Sequence, residues 1–221
     1  MFIGHLAVAF AAKKAAPKVS LGTLFIATQF VDLLWPIMLL LGLEHVRIAP
    51  GITAFTPLDF YDYPLTHSLL TGVEWALVFG GTYYIAFNKN LRTALILAAC
   101  VVSHWVLDFV SHRPDMPIIP WMDCKTGLGL WNSIPATLAV ESLLFATGVW
   151  IYVNATKPLN AKGVWGMWTF IAFAVVAYLG AAFGPPPPGV NALAWSAQSV
   201  WLLVAWAYWF DKNRAARIVE Q

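Results

Sequence analysis

Apolar residues fill the chain in long runs, and polar positions fall mostly between them. Six runs approach the roughly 20 residues that carry a helix across a ~30 Å hydrocarbon core. They cover about 21–43, 66–87, 91–110, 134–153, 163–183 and 190–210. Backbone groups inside lipid must be paired within their own segment, so the pattern predicts six transmembrane helices. Turn residues separate the runs: Pro50-Gly51, Pro57 and Pro64 before the second, Asn88-Lys89-Asn90 after it, and Pro185 to Pro188 before the sixth.

The first twenty residues break the pattern. Phe2 to Ala12 is apolar but too short to cross, and it runs into Lys13, Lys14, Pro17 and Lys18. No basic residue precedes this stretch and no small-residue cleavage site follows it, so it does not read as a signal peptide. It predicts a short helix that starts inside the protein, emerges near Lys13 and forms a hairpin with the first span. The expected fold class is therefore all-α: one polytopic membrane domain over residues 1–221, without an internal repeat.

Composition fits this picture. Hydrophobic residues make up 60% of the chain and charged ones 11%, against about 25% charged in a typical soluble domain. Soluble enzymes and disordered chains are excluded on that ground. A net charge of +2 is far below a phosphate-binding footprint, which excludes nucleic acid as a partner. Antiparallel spans place Lys13, Lys14, Lys18, Lys89, Arg92, Lys157, Lys162, Lys212, Arg214 and Arg217 on one side, and only Arg47, Arg113 and Lys125 on the other. That asymmetry predicts a cytoplasmic C-terminus, with loops 44–65 and 111–133 outside. Cys100 and Cys124 fall at different depths, so no disulfide joins them.

The few charges inside the runs carry the chemistry. Asp32, Glu74, Asp108 and Glu141 lie within predicted spans, with His104 beside Asp108 and His67 at the start of the second span. Each is costly in lipid, about 2.5–3.5 kcal/mol for a charge at mid-bilayer, and calls for a partner or a wet cavity. At 1.5 Å per residue, Asp32, His104, Glu74 and Glu141 all fall roughly 17–21 Å from the basic side, and His5 about 14 Å from Lys14. His104 and Asp108 are four apart, so one ion can take both. His67 and Glu74 are seven apart, one face of a continuous helix. Imidazole with carboxylate suits a divalent transition metal: zinc first, manganese or iron as alternatives. Thr66, Ser68, Ser103 and Ser111 flank the candidates as possible orienting partners. Histidines and acids in a bundle also serve as plain interhelical hydrogen bonds, and Glu74 and Glu141, each isolated in its span, stay open between the two roles. His45, His112 and Asp62 lie in outer loops, where solvation competes with ligation; His112 and Asp62 are kept as additional candidates.

Gly4-His5, Gln29-Phe-Val-Asp32, Leu65-Thr-His67-Ser68-Leu69 and Ser103-His104-Trp-Val-Leu-Asp108 resemble, in order, the motifs of a family of bacterial inner-membrane metal-dependent hydrolases. The likeness covers about residues 1–115. The family's aspartate motif commonly carries a second aspartate and a histidine, where this chain has Leu33 to Pro36, and its His-Arg-Gly element is replaced here by Tyr61 to Pro64. A fainter similarity to zinc-dependent phospholipase C rests on the His-x-x-x-Asp pair. The resemblance implies a bacterial inner-membrane hydrolase with a divalent ion held by His5, Asp32, His67, His104 and Asp108. Glu74 is expected as general base, and the depth of the cluster points to a membrane lipid or lipid-linked substrate. Two other readings stay open: an ion- or proton-coupled transporter, and a non-catalytic protein whose polar cluster is structural.

Overall fold

Short polar residues at the ends of the apolar runs start the helices. The side chains of Asn90, Ser133 and Asn160 each accept the backbone N–H three residues on, at 3.0, 3.4 and 3.1 Å, satisfying donors that the first turn leaves free. In this computed structural model, which describes residues 1–217, the chain is mostly helical. The helices are α1 (Ile3–Ala15), α2 (Leu21–Thr28), α3 (Phe30–Leu40), α4 (Pro64–His67), α5 (Leu69–Tyr83), α6 (Leu91–Ser111), α7 (Ile134–Ala155), α8 (Ala161–Phe183), α9 (Val190–Ala197) and α10 (Val200–Asp211).

Four stretches among the described residues are long and apolar enough to cross a membrane: α6, α7, α8 and the joined α9–α10. Helices α2 and α3 make a fifth if their 56° bend is taken as a break within one span. No more than 33% of any of the four apolar windows is buried, and Leu77, Leu95, Leu143, Val176 and Leu202 are each at least 60% exposed. So large an apolar exterior is consistent with a membrane protein.

The first two of the six apolar runs are interrupted in the structure. The first run is broken at Gln29 (φ −105°, ψ 11°). The second divides because Ser68 is extended (φ −79°, ψ 151°), separating α4 from α5, which then ends in a π-helical turn over Tyr84–Asn88. The fold is also not purely helical. Polar loop segments pair as three short antiparallel ribbons: β1 (His45–Ile48) with β2 (Leu58–Asp62), β3 (Met116–Pro117) with β4 (Lys125–Thr126), and β5 (Thr156–Pro158) with β6 (Arg214–Ala216).

Helix α1 is the centre of the bundle, packed along α7 with α2 and α6 beside it. A Cβ at Gly148 would lie 2.3 Å from the Ala7 oxygen, so only glycine allows α1 and α7 to approach this closely. Phe10 at the middle of α1 is wholly buried. Its ring meets Phe25 and Tyr152 at 5.2 Å and Phe145 at 6.0 Å, all edge-on. At the lysine-rich end, Asp211 accepts from Lys13 Nζ at 2.7 Å, from the Tyr152 hydroxyl at 2.7 Å and from Leu21 N at 2.9 Å. One buried carboxylate thus ties together the ends of α1, α7 and α10 and the start of α2. Toward the other end, α1 carries His5 into the bundle interior.

Candidate metal centre

The breaks in α2–α3 and α4–α5 place the site. Thr28 is the last residue of α2, where a helix leaves carbonyls without intrahelical donors. His104 on α6 donates its Nδ1–H to the Thr28 carbonyl at 2.8 Å. A carbonyl can only accept, so the proton sits on Nδ1 and the Nε2 lone pair is turned into the cluster. Three residues past the bend, α3 presents Asp32, and α4 ends on His67.

His67 is oriented in the same sense by a relay. Its Nδ1 lies 2.7 Å from Thr66 Oγ1, and that hydroxyl donates to Glu44 Oε2 at 2.7 Å. The hydroxyl proton is committed to Glu44, so His67 Nδ1 must be the donor to Thr66, leaving Nε2 bare. Glu44 Oε1 accepts the backbone N–H of Leu65 and of Thr66, each at 2.8 Å. Glu44 is 1% exposed.

The five residues meet at short range. His104 Nε2 is 3.1 Å from Asp108 Oδ2 and 3.6 Å from Asp32 Oδ1; His67 Nε2 is 3.4 Å from Asp32 Oδ1 and 3.8 Å from Asp108 Oδ2. His5 Nε2 is 3.1 Å from Asp108 Oδ1, and its ring stacks on that of His104 with centroids 3.7 Å apart. The Met1 amino group donates to Asp108 Oδ1 and, at 3.4 Å, to Ser111 Oγ. Two groups of three could hold a metal ion, His5–His104–Asp108 and Asp32–His67–His104, with the ligand atoms of each within 4.8 Å of one another.

The donor set fits a divalent ion. Ligands at about 2.1 Å from a tetrahedral centre sit about 3.4 Å from each other, within the 3.1–3.8 Å imidazole–carboxylate separations of the cluster. His104 Nε2 is buried and makes no well-aligned hydrogen bond, although Asp108 Oδ2 and Asp32 Oδ1 lie 3.1 and 3.6 Å away, so two carboxylates and an imidazole nitrogen converge without satisfying one another. Asp32 is the opening: its side chain is 34% exposed, whereas those of His5, His67, His104 and Asp108 are at most 5% exposed.

The other sequence candidates lie elsewhere. Glu74 is exposed on α5, opposite the buried stripe of Gly72, Ala76 and Gly80, and the structure does not bring it to the cluster. The seven-residue spacing to His67 assumed a continuous helix, and the extended Ser68 resets the phase. Glu141 is fully buried, but it accepts the N–H of Gly4 at 3.3 Å and so caps the start of α1. His112 follows α6 in extended conformation, which turns it off the His104–Asp108 face. Its ring packs against Trp131 at 4.2 Å, and its Nδ1 bonds Asp115 at 3.0 Å. Burial pushes its pKa down, against the pull of Asp115. Asp62 is a rim residue paired with His45 at 2.7 Å. Of the flanking hydroxyls, Ser68 caps α5 by accepting from Thr71 N and Ser103 donates to the Cys100 carbonyl, so neither orients a ligand.

Glu44 was missed by the sequence reading. It follows the first span in a loop, 22 positions before Thr66, and only the β1–β2 ribbon that begins beside it folds the chain back. Because Glu44 acts through Thr66 on the His67 ring, Glu44→Gln should lower metal affinity about 10–100-fold, with an unchanged thermal transition, as measured by competition with a fluorescent chelator. Thr66→Val should give a loss of similar size.

Comparison with protein-family models, curated proteins and solved structures finds no match to this chain.

Proposed function

We propose that the protein is a membrane-embedded metal-dependent hydrolase acting on a lipid or lipid-linked phosphate or ester. In this reading it sits in a bacterial inner membrane with six crossings, α5 and its π turn forming the second, and a cytoplasmic C-terminus. The observation that carries the proposal is the meeting of three imidazoles and two carboxylates, from α1, α3, α4 and α6, inside an otherwise apolar bundle. A divalent ion held by His5, Asp32, His67, His104 and Asp108, zinc before manganese or iron, supplies positive charge that polarises a phosphoryl or acyl oxygen and acidifies water. The chain's own work is orientation. Thr28 and Thr66 fix the His104 and His67 rings, and the walls of α1 and α6 keep water from the far side. Asp32 is the cluster's one carboxylate that solvent reaches; it faces His67 and His104 through Oδ1, and its other oxygen would take the proton-accepting role expected of Glu74.

The direct His5–Asp108 hydrogen bond favours one rival, a cluster whose members satisfy each other and only fix the bundle. Detergent-purified protein decides between them when offered phosphatidylglycerol and a polyprenyl phosphate, with release of phosphate, headgroup or fatty acid followed. The hydrolase should turn over one class, lose at least about tenfold in rate on chelation, and recover with zinc, manganese or iron. Stoichiometric metal without turnover of either class would leave a structural ion.

A further inference from the structure

Two cavities of different character meet at Trp150, near the lysine-rich end of the bundle. The first is a groove of about 510 Å³ between α7 and α8. Phe145, Val149 and Val153 form one wall, and Trp168, Ile171 and Val175 the other. From Ser142 to Val153 it follows α7 for roughly 16 Å. The second, about 890 Å³, lies between the ends of α1 and α7 and the strand β6, and Lys13, Lys14, Lys18 and Arg217 all line it. Trp150 lines both and is 67% exposed.

Most of the charge of the second cavity is not paired with an acid. Lys13 is engaged by Asp211. Lys14, Lys18 and Arg217 are exposed; Arg217 Nε donates to the Thr156 carbonyl at 3.1 Å, which leaves its terminal nitrogens toward the cavity, and among the described residues no ion pair engages any of the three and no acid lines either cavity. Three cations around a concave pocket attract an anion. An apolar groove opening from the same point on a surface suited to lipid accepts hydrocarbon. An indole between them matches the boundary where tryptophan is enriched.

From this juxtaposition we propose that the paired cavities are a binding site for an anionic phospholipid, with its phosphate headgroup at Lys14, Lys18 and Arg217 and an acyl chain along the α7–α8 groove. The site is separate from the metal cluster and does not rest on the hydrolase reading. Its occupant is a ligand that seats α7 against α8, distinct from any substrate reaching Asp32.

The test is titration of the full chain in detergent, read by native mass spectrometry, with phosphatidylglycerol, phosphatidylcholine and inorganic phosphate as separate probes. The wild type should prefer phosphatidylglycerol to phosphatidylcholine by at least about tenfold. Lys14→Gln with Lys18→Gln should weaken phosphatidylglycerol binding about 25-fold, roughly fivefold per lysine, and abolish the preference. Both lysines are exposed, so folding is not at stake, and an unchanged thermal transition confirms it. Ala146→Phe, at an exposed position in the groove, should weaken both lipids. Equal affinity of the wild type for the two lipids, or a preference that survives in the double variant, overturns the proposal. Displacement of the lipid by millimolar phosphate, with Ala146→Phe silent, would assign the pocket to a free anion and overturn it as well.

Discussion

His104→Ala should leave the purified protein without stoichiometric transition metal and without turnover, while it still folds in detergent, with a lower thermal transition. The expectation rests on position. Among the described residues His104 belongs to both groups that could hold an ion, so none of these triads survives its loss. It is also the member whose Nε2 is buried without a well-aligned hydrogen bond and whose ring is fixed by the Thr28 carbonyl. Losing an orienting partner alone costs about 10–100-fold in metal affinity; losing the ligand itself should exceed about 100-fold. Elemental analysis of protein purified without chelators, beside an equilibrium titration, measures it. Asp108→Ala should lose the metal as well, since Asp108 lies within 3.8 Å of both His67 and His104 and within 3.1 Å of His5, and it should also lower stability because the buried Met1 amino group loses its carboxylate. Glu74→Gln is the internal control and should change metal content and rate by less than about twofold, because its side chain is exposed on the far side of α5. Wild-type protein that carries no transition metal would end the hydrolase reading.

The contrast between Asp108 and Glu74 shows where the sequence was legible. A four-residue spacing inside one uninterrupted helix is a geometric fact about the chain, and α6 runs unbroken through His104 and Asp108. A seven-residue spacing is such a fact only if no residue between leaves helical geometry, and Ser68 does. Hydrophobicity cannot report this, since Leu65 to Val78 reads as apolar whether the backbone bends or not. The bend at Gln29 is hidden for the same reason, yet it aims Asp32 and frees the carbonyl that holds His104. His5, Asp32, His67, His104 and Asp108 come from four helices, and their separation along the chain says nothing of their meeting; the shared depth that suggested it also took in Glu74 and Glu141, which lie elsewhere. Glu44 shows the opposite limit. A polar residue just past an apolar run looks like solvated loop, and the β1–β2 ribbon that returns it to Thr66 leaves no periodic trace over four or five residues.

Asp211 was legible neither as a ligand nor as a loop charge, and replacing it should have a large effect on stability. Asp211→Ala should destabilise the fold by about 3–5 kcal/mol, because removing one partner of a buried ion pair leaves the other uncompensated. The side chains of Lys13 and Asp211 are 8% and 5% exposed, so screening by water offers little relief. The loss is compounded by the other two donors: the Tyr152 hydroxyl and Leu21 N–H both end on the same carboxylate. A surface pair provides the comparison. His45 and Asp62 are 49% and 45% exposed, and Asp62→Ala should cost only about 0–1 kcal/mol. Denaturant titration in detergent measures both. Lys13→Met combined with Asp211→Leu should recover part of the loss, since no charge is then stranded, but not all of it, because the Tyr152 and Leu21 donors stay unpaired. Metal content separates this role from that of the ion cluster. The Asp211 variants should retain their metal below the unfolding transition, whereas His104→Ala should lose metal with the fold intact. If Asp211→Ala proved as mild as Asp62→Ala, the carboxylate would be solvated in the folded state and α1 would have to be anchored by its packing on α7 alone.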